Sequence, residues 1–402
     1  MTVPNGSILF NTSEGSDSQS SGLGPSTAVY GSGASTTGSS AVVTGIDTTG
    51  VSAGDLLWVE SSSGRQFSII ASVDSSSQVT CDDTFANTES SRNWAIGGKR
   101  ATWDNSNSVK IFTADAKSNW DIVTETDQTI TQQITLCNGC VSIRGVTNGA
   151  LPVIEQTSNN TLFSSSQSQT VVFHSLNFKY SHSTKDKLAV AVSYGGAAFI
   201  NVVANDPNKN WSTFAARVCC NPVSLQFHSC IIGNCVSNGV SAWQGSGSFF
   251  DSIFHDNGGD GAYAVNCTSH GCIFVNNSSN GLYITGISSM SNNMFISNGG
   301  YGLAYVLYTQ GGIALCASNY FYNNTSGKTN NSAVGWDKLE SYSDIDLTSD
   351  PFVDSANQDY NLQDDTLINK TYLLGSSTTI YPLRKYVSND FDKGGTKFHP
   401  LS

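Results

Sequence analysis

Cationic side chains are scarce in this chain. Its 402 residues hold 19 lysines and arginines against 31 acidic residues, so that 12% of positions are charged and the net charge is -12. A nucleic-acid-binding face draws on basic residues that this balance does not supply. Long apolar runs are missing as well: no stretch approaches the roughly 18 residues that a membrane-spanning helix requires. The opening Met1-Thr2-Val3-Pro4-Asn5-Gly6 has neither a basic nor an apolar stretch, so it does not read as a secretory signal and implies folding in a reducing cytoplasm. Helical periodicity is nearly wanting. The candidate is Thr113 to Asp121, a short helix suited to capping the mouth of a β-structure. What abounds is Ser, Thr, Asn and Gly, the composition of a β-protein kept soluble by neutral polar groups.

Within that composition a period is visible. Cys272-Ile273-Phe274-Val275-Asn276 runs on to Asn280-Gly281, and Cys230 to Asn238-Gly239, Ser252 to Asp260-Gly261 and Asn293 to Tyr301-Gly302 repeat the pattern. The marker glycines Gly239, Gly261, Gly281 and Gly302 lie 22, 20 and 21 residues apart, in step with the apolar pairs Ile231/Ile232, Ile253/Phe254, Ile273/Phe274 and Met294/Phe295. A looser fifth copy, Asn319 to Gly327, comes after an insertion at Tyr308 to Gly312. Self-similarity at a fixed short period is the mark of a solenoid. Each copy is too short for a helical repeat but holds two or three strand-length runs rich in Ile, Phe, Val and Tyr. A coil is therefore three strands and three turns, and stacking coils at about 4.8 Å buries one continuous column of side chains. The expected fold is all-β: a right-handed parallel β-helix, its hand set by the rule for parallel crossovers. The Asn-Gly and Asp-Gly steps are expected at turns, where both residue types accept left-handed backbone angles.

Ten cysteines occur, and Cys137-Asn138-Gly139-Cys140 is the one CxxC. Zinc would need a second pair, and thioredoxin-like chemistry a βαβ setting; neither is present. Cys230, Ser252 and Cys272 share one slot of the repeat, which predicts a ladder of small inward residues, with the thiols acting as small buried hydrophobes. No metal or cofactor site is read from the sequence.

The chain divides into four regions. Residues 1–40 are low-complexity and are expected to form an extended docking segment that orders only against neighbours. Residues 41–104 hold five strand candidates, at 41–46, 55–60, 67–73, 78–80 and 94–96, with turns at Ser63-Gly64 and Asp82-Asp83, and predict a small β-barrel or roll. The β-helix is placed at 105–335, and an irregular tail at 336–402.

A β-helix is a common platform for acting on polysaccharides. Hydrolysis needs two carboxylates roughly 5 to 10 Å apart, and lyase chemistry needs acids around calcium with a basic residue. Between Asp206 and Asp337 the carboxylates are Asp251, Asp256 and Asp260, a poor supply. Asp256 and Asp260, with His255, are the local catalytic candidates, yet both acids occupy slots that Asn fills in other coils, as turn residues would. His174 and His228 read as equivalent turn positions rather than metal ligands. For Trp211, Trp243, Tyr283 and Tyr305, with Tyr301 and Tyr308, core or interface packing is the leading reading of each one, and stacking on sugar rings is the functional candidate.

Gly54-Asp55-Leu56-Leu57-Trp58-Val59, Gly64-Arg65-Gln66-Phe67 and Trp94 to Thr102 resemble the amino-terminal module of β-helix proteins of tailed bacteriophages and environmental viral sequences. Asp350-Pro351-Phe352-Val353-Asp354 with Asp359-Tyr360-Asn361-Leu362 is similar to the end of many parallel β-helix repeat proteins. The family includes tailspikes, fibres and decoration proteins, often trimeric, some of which cleave host glycans. The resemblance implies a structural virion protein, a homotrimer docked on other capsid or tail proteins through its amino-terminal segment and projecting toward a host-surface glycan. A depolymerase with an intersubunit site is the alternative.

Overall fold

The computed structural model describes residues 7–362 apart from 26, 106–119, 137–139, 147–149, 166–169, 206–210, 218–222, 307–312, 332–337, 343 and 355–357. The described residues are β-structure throughout, with no helix among them. They fall into two compact units, Met1–Thr147 with Pro152–Glu155, and Asn148–Leu151 with Gln156–Ser402. The expected helix at 113–121 lies outside the described residues up to 119; Trp120 and Asp121 open a strand.

The first unit contains a closed antiparallel barrel in the order Val29–Thr36, Val42–Thr44, Gln78–Cys81, Gly64–Ser75, Leu56–Ser61, Glu89–Ile96. Inward residues such as Val43, Leu57, Val59, Ile70, Val79 and Trp94 fill it. All five expected strands are there, and Ser61 pairs with Gly64 across the expected hairpin turn. The sixth strand is a correction, because Val29–Thr36 belongs to the stretch read as an extended docking segment. Its sequence, VYGSGAST, looks like a linker, yet Gly31 is small for a reason. A Cβ there would sit 3.3 Å from the Trp94 ring.

The serine-rich stretch before that strand is also part of the fold. Ile8–Phe10 pairs in parallel with Trp120–Thr124, which pairs with Cys140–Gly145. Ser20 O accepts hydrogen bonds from Arg100 Nη1 at 2.9 Å and Trp58 Nε1 at 2.9 Å, and Asp17 O accepts from Arg65 Nη1 at 2.6 Å. The Asp17 carboxylate takes the Thr102 hydroxyl at 2.8 Å and lies 3.7 Å from Arg100. Burial pulls the Arg100 guanidinium down to about 10, which leaves it charged at neutral pH and dependent on these oxygens. Low complexity here encodes short side chains that let backbone carbonyls approach two cations and an indole.

The second unit is a parallel β-helix. Ile231–Gly233, Ile253–His255, Ile273–Val275, Met294–Ile296 and Tyr320–Tyr322 stack in register, so the repeat seen in the sequence is the rung of the solenoid. Of each apolar pair one residue points in and the other out. Phe254, Phe274, Phe295 and Phe321 form an inner stack with ring centroids 5.1 Å apart. Phe173, Phe199 and Phe227 form a second one on another face. His174 and His228 occupy equivalent positions at the end of that face, both in register with Ile200, one residue before the turn.

Each three-residue strand is bracketed by left-handed residues. Asp251, Asn292 and Ser318 precede it with φ of 48°, 54° and 57°, and Asp256, Asn276, Ser297 and Asn323 come after it with φ of 49°, 54°, 52° and 50°. Asp, Asn and Ser tolerate that region, which explains their recurrence. The marker glycines have another cause than the one expected. A Cβ on Gly281 would lie 2.6 Å from Gly302 O, and one on Gly261 2.6 Å from Gly281 O, so close stacking of backbones excludes a side chain there.

Next to the left-handed Asp256, Asn276, Ser297, Asn323, Asn292 and Ser318 an amide points inward. Asn257, Asn277, Asn298 and Asn324 form one ladder, each donating its side-chain amide to the next Oδ1 at 2.8 to 3.0 Å. In the other, Cys272 N bonds Asn293 Oδ1, Asn293 bonds Asn319, and Asn319 bonds Asp344. Cys230, Ser252 and Cys272 do share a slot, as expected; the Cys230 amide bonds the Ser252 hydroxyl at 3.1 Å.

Among the described residues Cys81, Cys230, Cys235, Cys267, Cys272 and Cys316 are buried free thiols; of the CxxC, 137–139 lie outside them. Burial pushes Cys230, Cys235 and Cys272 up from the ordinary 9.0 to about 12. A raised thiol value stabilises the fold fully below pH 9 and progressively less as pH rises toward 12, because the unfolded chain loses the proton first. These six thiols should therefore not react with a disulfide reagent in native protein at pH 8, and denaturation midpoints should fall as pH climbs above 9. Fast reaction of any of them without denaturant would contradict the burial.

Candidate functional site

His255, Asp256 and Asp260 are not brought together as an open acid–base site. Asp256 holds a left-handed corner, and its Oδ2 accepts from His255 Nδ1 at 2.8 Å, Tyr360 Oη at 3.1 Å and Gln358 Nε2 at 3.2 Å. Burial, reinforced by the adjacent Asp256 carboxylate, holds the Tyr360 phenol far above its usual range, so it stays a donor. The His255 side chain is 1% exposed, and its ring lies over Gly233, where a Cβ would come within 2.3 Å of Nε2. A general acid or base must reach a substrate proton at hydrogen-bond distance. This imidazole faces a glycine backbone and the Tyr360 ring, with centroids 5.4 Å apart, and has no open side. The arrangement fastens two parts of the chain together.

Asp260 is likewise engaged in the fold. Its Oδ1 accepts from Asn280 N at 2.9 Å and Asn280 Nδ2 at 2.8 Å, while its own amide bonds Asn238 Oδ1. It is a ladder member in which a carboxylate replaces an amide, as the shared slot suggested. Among the described residues no three His, Cys, Asp or Glu side chains gather as metal ligands would.

The aromatic candidates separate into two groups. Trp211 and Tyr305 are 1% and 0% exposed, which corrects their candidacy for sugar stacking. Trp211 stacks on Tyr180 at 4.7 Å, and Tyr305 falls in register with the inward Ile284, so both serve the core. Trp243 is 59% exposed, and Tyr283 is half-buried, stacked on Tyr263 at 5.0 Å. Tyr301 is also half-buried, and Tyr308 lies outside the described residues.

Register explains how the exposed group forms. Ala216, Ser241, Tyr263, Tyr283, Ala304 and Asn330 pair in succession, making one outward row that carries no charged side chain. Along its strand Ala242 is buried between Ser241 and Trp243, so Trp243 points to the same side as Ser241, at a bulge before Ser246. Tyr263 went unnoticed in the sequence, although its offset from Gly261 matches that of Tyr283 from Gly281. Tyr360 and Phe352 are legible only as parts of a tail motif, and Gln358 lies outside that motif.

The fold and these side chains define a parallel β-helix with an uncharged aromatic outer row and a tail fastened to its coils. No family model matches the chain, and no curated protein matches it. Among solved structures it is similar to the catalytic domain of a GH87 alpha-1,3-glucanase in complex with nigerose, at 9% identity over 81% of this chain and 90% of that one, with a TM-score of 0.17. A variant of that domain in complex with tetrasaccharides gives 8% identity over the same shares and a TM-score of 0.18. At these values the likeness carries no argument about chemistry.

Proposed function

We propose that this chain is a non-catalytic structural protein of a tailed-phage particle, a projecting β-helical fibre, spike or decoration protein that attaches to a host-surface glycan. The observation that carries the attachment reading is the outward row with Tyr263 and Tyr283 beside exposed Trp243. Flat aromatic surface without charge suits the apolar faces of neutral sugar rings. The absence of catalysis is supported by Asp256 and Asp260, whose carboxylates are committed to hydrogen bonds within the fold. Particle docking falls to the first unit, whose residues 45–104 carry the resemblance to phage amino-terminal modules. Assembly as a homotrimer is part of the same reading, and light scattering on the purified protein tests it.

The decisive experiment incubates purified protein with the polysaccharide of a host cell surface. Binding without release of reducing ends or unsaturated products is the expected result, and Trp243→Ala should weaken that binding about tenfold, equivalent to about 1.4 kcal/mol. Release of either product would establish the depolymerase instead. Unchanged binding by Trp243→Ala would remove the aromatic row from the reading.

A further inference from the structure

We propose that the C-terminal hairpin, Phe352–Asp354 with Asp359–Leu362, is a strap latched to the coils through Asp256, and that it opens as a unit while the coils stay folded. This goes beyond the proposed function and does not depend on it. The hairpin strands pair with each other, Phe352 with Leu362 and Asp354 with Asp359, in a two-stranded sheet separate from the sheets of the coils. A two-stranded hairpin is marginal by itself, so its order comes from the surface beneath it.

Apolar packing and hydrogen bonds to Asp256 contribute to holding it. Phe352 and Tyr360, each 1% exposed, pack edge to face at 5.4 Å and join the cluster of Ile253, Ile273, Met294 and Tyr320, the outward residues of successive rungs. Gln358 and Tyr360 then donate to one oxygen of Asp256, a residue 104 positions before Tyr360. His255 donates to that same oxygen from the coil side, which aims the carboxylate. The rungs beneath have an independent framework: parallel strand pairing, amide ladders and the inner phenylalanine stack. Lifting the hairpin breaks none of those, so the free energy of opening it is lower than that of unwinding a coil.

The choice of Asp at 256 fits a latch. Asn234 and Asn276 hold the equivalent left-handed corners, so the backbone does not need a carboxylate there. What the charge adds is the strength of hydrogen bonds to an ionised acceptor.

Hydrogen exchange by mass spectrometry on the full chain tests this. In the unmodified protein, amides of 352–354 and 359–362 should exchange at least tenfold faster than those of 273–275 and 294–296. Asp256→Asn, which keeps the corner, and Tyr360→Phe, which keeps the packing, should each speed exchange in the hairpin about tenfold or more and leave the rung amides unchanged. Combining them should give less than the sum of the two, since Tyr360→Phe deletes one of the bonds that Asp256→Asn weakens by removing the charge. The proposal is overturned if hairpin and rungs exchange at one rate in the unmodified protein, or if neither substitution moves the hairpin. Faster exchange in hairpin and rungs alike would also overturn it, by showing Asp256 to be a coil residue only.

Discussion

Phe274→Ala is expected to destabilise the β-helical unit by about 3–5 kcal/mol, the range for removing a fully buried aromatic ring. Phe274 is 0% exposed and lies between Phe254 and Phe295, with centroids 5.1 Å from each and interplanar angles of 11° and 9°. The loss has two parts, the transfer energy of the ring and the cavity left between neighbours fixed by strand pairing on either side. Because adjacent rungs are held at about 4.8 Å by hydrogen bonds, they have little freedom to close over the gap. Phe274→Leu refills most of the volume and should cost under about 1.5 kcal/mol. Denaturant titration of both variants measures the difference. Equal midpoints would mean that the stack is a by-product of the fold and adds nothing to it.

The second large effect is expected from Asn277→Leu. Asn277 is 1% exposed, and both acceptor and both donor positions of its side chain are in use. Oδ1 accepts from Asn257 N at 3.2 Å and Asn257 Nδ2 at 2.8 Å, while Nδ2 donates to Phe254 O and to Asn298 Oδ1, each at 3.0 Å. Leucine matches the size and strands these partners away from water. Each unpaired buried group costs about 1–3 kcal/mol, so a total of about 3–5 kcal/mol is expected once partial relaxation is allowed for. One residue earlier, Asn276 sits at φ 54° with its side chain at the corner. Asn276→Gly keeps that angle and should cost much less than Asn277→Leu, about 1 kcal/mol or below. The pair separates the two reasons for asparagine in the repeat, and thermal unfolding of the two variants side by side tests the separation.

That separation shows how much of the molecule was legible beforehand. The rung from Cys230 to Asn323 could be read because one residue type is forced at several slots, and a forced slot repeats. The barrel strands at 42–96 could be read because alternation put Leu57, Val59 and Ile70 on one side. Val29–Thr36 could not, because Gly31 is dictated by a tryptophan more than sixty positions away rather than by its neighbours. Trp211 is illegible for a related reason, since an aromatic residue outside the regular copies carries no local signal of which side it faces; Tyr305 stands as far after Gly302 as the inward Ile284 after Gly281, so the period itself marks it as inward. Asp256 was noticed as a departure from Asn at its slot, but its partners Gln358 and Tyr360 lie in the tail, and nothing local links them.

The amide ladders also have a direction, and it coincides with the direction of synthesis. Asn257 offers its hydrogens to Asn277, Asn277 to Asn298 and Asn298 to Asn324. Each coil leaving the ribosome thus presents donors whose acceptor is encoded about one coil later, and only the arrival of that next coil completes it. In the parallel ladder the series reaches Asp344, which accepts both the backbone and side-chain hydrogens of Asn319. A carboxylate has no amide hydrogen to hand on. The column is therefore vectorial, and Asp344 acts as a terminator of this ladder: among the described residues, the chemistry that recruits each successive turn is withdrawn there.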